Sequence, residues 1–115
     1  MKQIIAIIKP FLAEQVLAEL EHAPLEALEV HGVKGYGRQK NYLDKYSDTE
    51  YAQIFLPKIE IRMWVSDART EEVLESVSKA ARTGRMGDGK IFVVPVLDCI
   101  SIQDTGPTNA KKNER

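Results

Sequence analysis

The stretch best equipped for chemistry is Thr83-Gly84-Arg85-Met86-Gly87-Asp88-Gly89-Lys90, followed at once by Ile91-Phe92-Val93-Val94. Gly84, Gly87 and Gly89 let a backbone turn sharply and approach a ligand without Cβ interference, while Arg85 and Lys90 supply positive charge. That combination suits an anion. The spacing from Gly84 to Gly89-Lys90 matches the opening of a P-loop, but Ile91 stands where a magnesium-holding Ser or Thr belongs. The surrounding pattern also reads helix, loop, strand, where a P-loop needs strand, loop, helix. Phosphate contact survives this objection and P-loop hydrolysis does not; the competing reading is a plain glycine-rich turn.

The elements around this loop follow from periodicity. Ile4-Ile5-Ala6-Ile7-Ile8 is a β-branched run ended by Lys9-Pro10, which predicts a strand buried on much of both faces. Pro10 opens a helix running to about His22, with Phe11, Val16, Leu17 and Leu20 on one side and Ala23-Pro24 as its stop. A second strand is predicted from Ala27 to Tyr36, where Gly32 and Gly35 suggest a bulge or a close backbone approach. Ile54 to Val65 alternates clearly, with Ile59, Ile61, Met63 and Val65 on one face and Lys58, Glu60, Arg62 and Trp64 on the other. Trp64 among charges suggests that this side of the sheet is covered by another subunit or a ligand. Ser66-Asp67 offers a cap to a helix whose stripe is Val73, Leu74, Val77, Ala80 and Ala81. A last strand is predicted from Ile91 to about Ile100, with Cys99 packed near its end, and residues 104–115 read as a polar, flexible tail.

Strand, helix, strand, strand, helix, strand is the α+β, ferredoxin-like βαββαβ order: one antiparallel sheet, both helices on one face, the other face open and suited to association. Residues 1–103 form the single predicted domain. Between strands two and three, about residues 37–54, the apolar period disappears, and a connection this long in a small domain is usually functional or disordered. Its Tyr42, Tyr46 and Tyr51 amid mixed charges suit docking on a partner protein.

Composition narrows the function. With 115 residues, 43% of them apolar, and net charge −1, the chain lacks the basic balance of a general nucleic-acid binder or a cationic membrane-surface protein. One cysteine and no long apolar run predict a cytoplasmic protein without disulfides. His22, His31 and Cys99 are too scattered for a metal site, and no activated nucleophile, Ser-His-Asp set or telling carboxylate pair marks a catalytic centre. No catalytic or metal-binding residue is therefore assigned. A small phosphatase or ATPase and a trimeric metal-binding protein of similar fold are the competing classes.

Lys9-Pro10-Phe11, Val33-Lys34-Gly35-Tyr36-Gly37-Arg38-Gln39-Lys40, Tyr46 to Tyr51, Phe55-Leu56-Pro57-Lys58 and Thr83 to Phe92 together resemble, in order, the nitrogen-regulatory PII signal proteins. The resemblance covers roughly residues 1 to 100. It implies a homotrimer binding adenine nucleotides in clefts between subunits, with the long loop engaging a transporter or an enzyme and, through a transporter, an indirect link to the membrane. By residue matching it implies that Gly87, Asp88, Gly89 and Lys90 hold the phosphates, joined by Gly37 and Arg38 at the base of the long loop, with Gly35, Gln39, Thr83, Gly84 and Arg85 also in the nucleotide-binding set. It places Arg62 and Trp64 near the adenine, across the interface. Gln39 and Lys58 match positions that bind 2-oxoglutarate with magnesium and ATP, and Tyr51 matches a uridylylation site, although the residues flanking Tyr51 depart from the family pattern.

A second departure lies near the C terminus. Two arginines that reach the outer phosphates in members that bind ATP well are replaced here by Ser101 and Gln103. The expectation is a preference for ADP or AMP over ATP and a weakened or absent 2-oxoglutarate response. Such divergence resembles the PII-like subgroup associated with carboxysomes and inorganic carbon, in which bicarbonate is the implied co-effector and Arg38, Gln39, Lys58 and Lys90 form the anion pocket. Arg82, Arg85 and the tail lysines are alternative sources of the missing charge. General nitrogen signalling and this carbon-linked role rank nearly equal.

Overall fold

The computed structural model describes residues 1–35 and 56–104. Strand β1 (Lys2–Ile8) leads through a 3-10 turn at Pro10–Leu12 into helix α1 (Ala13–Leu20). Strands β2 (Leu25–Gly35) and β3 (Leu56–Val65) follow, then a 3-10 turn at Asp67–Arg69, helix α2 (Thr70–Ala81), strand β4 (Gly89–Pro95) and a final 3-10 turn at Ile102–Asp104. The strands form one sheet in the order β2-β3-β1-β4, and every neighbouring pair is antiparallel. This is the ferredoxin-like arrangement.

One face carries the core. Ile4, Ala6 and Ile8 of β1 and Ile61, Met63 and Val65 of β3 alternate inward and are buried against Val16 and Leu20 of α1 and Val73, Val77, Ala80 and Ala81 of α2. The opposite face is laid out by register: Ala27, Trp64, Gln3 and Val94 lie in one row, Glu29, Arg62, Ile5 and Phe92 in the next, and His31, Glu60, Ile7 and Lys90 in the third. Phe92 remains 47% exposed and Val94 38%, so this face presents apolar surface that the described residues leave uncovered.

Several expectations need correction. Phe11 is 73% exposed and Leu12 is buried instead, because the chain enters the helix through a 3-10 turn that shifts the phase counted from Pro10. The register irregularity in β2 falls between Leu25 and Ala27, whereas Gly32 pairs in step with Ile59 and Gly35 with Leu56. Ser66 precedes the 3-10 turn without a side-chain cap; the hydroxyl of Thr70 donates to the Ser66 carbonyl at 2.9 Å instead. β4 ends at Pro95, earlier than Ile100, which leaves Cys99 exposed beyond the sheet, its N–H donated to the Asp98 carboxylate at 2.9 Å. Asp104 closes the final 3-10 turn, its N–H donated to the Ser101 carbonyl at 3.0 Å, and residues 105–115 of the expected tail lie outside the described residues.

Candidate functional site

The antiparallel topology gathers one set of strand ends: the C-terminal ends of β1 and β2 and the N-terminal ends of β3 and β4. Lys9, Gly35, Lys58 and the glycine loop between α2 and β4 therefore meet at one edge of the domain. α2 stops because Arg82 turns to extended backbone, and Gly84, Gly87 and Gly89 then adopt φ of 81°, 87° and 110°. These are left-handed conformations in which glycine avoids the Cβ clash. At Gly89 the requirement is absolute, because a Cβ would stand 1.7 Å from the Ile7 carbonyl oxygen.

Asp88 organises the loop. Its carboxylate accepts the backbone N–H groups of Thr83 and Gly84, each at 2.9 Å, and the Thr83 hydroxyl, and it pairs with Lys9 Nζ at 3.1 Å. The two Thr83 hydrogen bonds, followed by those from Lys9 and Gly84, hold the carboxyl well below the usual carboxylate range. The stabilisation this provides is complete above the ordinary aspartate pKa of 3.8 and is lost only as pH falls toward the depressed value.

Lys58, on the β3 face with Glu60, Arg62 and Trp64, is buried. Its Nζ donates to the Gly87 carbonyl at 2.7 Å, and a Cβ at Gly87 would lie 3.7 Å from that amine and 3.8 Å from Lys9 Cε. Two ammonium groups thus flank Gly87. Desolvation first and Lys9 second push the Lys58 pKa down, against the opposing pull of Asp88. Because the folded chain holds this proton less tightly than the unfolded one, stability rises with pH just below the ordinary lysine value of 10.5. Lys58→Met is expected to flatten that rise, a change measurable as urea midpoints at successive alkaline pH values.

Lys90 pairs in register with Ile7, on the open face, and has no hydrogen-bond or ion-pair partner among the described residues. With Arg82, Ser78, Asp88 and the start of β4 it also lines a cavity of about 270 Å³. Arg62 and Trp64 lie farther along β3, and Arg62 is engaged with Glu60 at 2.8 Å, so a single chain does not bring these two residues to the loop. Ser101 and Gln103 are exposed, beyond β4. Gly37, Arg38, Gln39, Tyr51 and the rest of the 37–54 loop lie outside the described residues. Sequence reasoning did not name Lys9 as a site residue; its signals were its place before Pro10 at the end of β1 and its part in the Lys9-Pro10-Phe11 segment of the resemblance.

The family model described as "Nitrogen regulatory protein P-II" matches residues 1–105. The chain belongs to the PII family. It is 44% identical over 103 residues to the nitrogen regulatory protein P-II of Rhodospirillum rubrum, covering 90% of this chain and 92% of that one. The P-II protein of Rhizobium meliloti is 44% identical over 108 residues, 94% of this chain and 96% of the relative. Nitrogen regulatory protein GlnK of Escherichia coli is 45% identical over 103 residues, with 90% and 92% covered. This PII chain is accordingly a signalling protein of the nitrogen-regulatory class, and among its described residues no helix is long and apolar enough to cross a membrane.

Proposed function

We propose that this PII protein senses adenine nucleotides, AMP or ADP in preference to ATP, in clefts between the subunits of a cytoplasmic homotrimer. The observation that carries the reading is the glycine loop: three glycines at positive φ, with the one carboxylate of the loop already bonded to Lys9 and Thr83, beside the amines of Lys58 and Lys90. Such a cradle offers an anion backbone N–H groups and positive charge with little opposing field. The apolar open face bearing Trp64, Phe92 and Val94 supports trimerisation, which would carry Arg62 and Trp64 to a neighbour's loop.

Ser101 and Gln103 are neutral, so charge for the outer phosphates is reduced and the longer nucleotide gains least. Bicarbonate, held by Arg38, Gln39, Lys58 and Lys90, is the co-effector of this reading. Nucleotide binding shifts the population of conformations of the long loop, which then fits or misses a transporter or enzyme. Regulation of this kind needs no turnover. A conventional nitrogen regulator responding to ATP and 2-oxoglutarate is the second reading, favoured by the desolvated amine of Lys58 and the names of the relatives.

Lys90→Ala is expected to weaken ADP by about tenfold or more, the worth of one charge-assisted contact, with the urea midpoint unchanged. Calorimetric titration checks it, and unaltered affinity would remove Lys90 from the site. A monomer in sedimentation would exclude the inter-subunit cleft.

A further inference from the structure

An ionised carboxylate has about four lone-pair positions to offer hydrogen-bond donors. At Asp88 all are taken: one oxygen accepts the N–H groups of Thr83 and Gly84, and the other accepts the Thr83 hydroxyl and the Lys9 ammonium. The Thr83 hydroxyl is equally committed, giving its proton to Asp88 while accepting from Lys9 Nζ at 3.3 Å and from the Arg85 N–H at 3.2 Å. Asp88 thus ties the two ends of the glycine loop to each other, and Lys9 ties both to the end of β1.

We propose that Asp88 and Lys9 are positioning residues: with Thr83 they form a clasp that fixes the glycine loop in its anion-binding conformation, and neither residue contacts the ligand. The inference rests on the reading that the loop receives phosphate. Asp88 has no acceptor position left for a metal ion or a ligand hydroxyl, and its charge is neutralised where an anion would otherwise meet repulsion. Lys9 is spent on that neutralisation, which leaves Lys58 and Lys90 as the amines available at the loop.

Asp88→Asn separates this account from simple electrostatics by sign. Removing a negative charge beside an anion site would by itself tighten anion binding. Under the clasp, Asn retains one acceptor oxygen, turns an NH₂ group toward donors and strands Lys9, so the loop opens and binding weakens.

The test titrates pyrophosphate and ADP into the full chain while amide hydrogen exchange is followed at Thr83 and Gly84. Asp88→Asn and Lys9→Met are each expected to weaken both ligands by about tenfold and to speed exchange at those two amides by a similar factor, the scale of a lost charged hydrogen bond. Thr83→Ser keeps the hydroxyl and is expected to restore both readouts toward wild type, whereas Thr83→Val repeats the loss and serves if Asp88→Asn does not fold. Tighter pyrophosphate binding in Asp88→Asn overturns the proposal. So does weaker binding in Lys9→Met with exchange unchanged, which would make Lys9 a direct ligand. If the wild type binds neither ligand, the proposed function fails, and exchange at Thr83 and Gly84 in the variants still decides whether the clasp exists.

Discussion

Gly89→Ala is expected to destabilise the domain by roughly 3–5 kcal/mol, combining the cost of a strained backbone conformation with that of overpacking. Gly89 begins β4 at φ 110°, paired with Ile8, and an added Cβ would meet the Ile7 carbonyl oxygen at 1.7 Å and its carbon at 2.8 Å. Those atoms belong to β1, the strand hydrogen-bonded on both sides, so they cannot withdraw without disturbing the β1–β3 and β1–β4 ladders together. Gly32→Ala is the control. Nothing lies within 4 Å of a Cβ there, and a change within about 0.5 kcal/mol is expected. Urea unfolding of the two variants checks the contrast; similar midpoints would mean that the turn into β4 relaxes more freely than its geometry allows.

The double substitution Ser101→Arg with Gln103→Arg is expected to tighten ATP by about a hundredfold or more while leaving AMP nearly unchanged. Two charge-assisted contacts at about 1.5–3 kcal/mol each set that scale. Both positions are exposed beyond β4, around the turn at Ile102–Asp104, so the new side chains need no repacking of the core. The discrimination between ATP and AMP matters more than the absolute gain, because added positive charge alone strengthens every anion somewhat. Equal gains for all three nucleotides in calorimetry would show that these positions do not address the outer phosphates.

Much of the fold was legible because its signals are local. The alternation of Ile59, Ile61, Met63 and Val65 and the stripe through Val73, Val77, Ala80 and Ala81 name the buried faces of β3 and α2, which the core contains. Phe11 misled because a helix stripe read from Pro10 ignores the 3-10 turn, and Cys99 because the apolar run past Pro95 continues after the ladder has ended. The site was legible only in part. The glycine spacing announced a cradle and Lys58 was named from the resemblance, but the contact of Lys9 with Thr83 spans 74 residues and leaves no periodic trace. Asp88 was named as a phosphate-holding position from the resemblance alone. The donors around it, from Lys9, Thr83 and Gly84, leave no periodic trace either, and they carry the proposal that it positions the loop.

The central claim is that this PII chain binds adenine nucleotides at the glycine loop and favours the shorter ones. Calorimetric titration of the wild-type protein with AMP, ADP and ATP, each with and without bicarbonate or 2-oxoglutarate, tests it most directly. The account predicts AMP or ADP binding more tightly than ATP, with no strengthening of ATP by 2-oxoglutarate. ATP binding far more tightly than ADP, and strengthened further by 2-oxoglutarate, would contradict it.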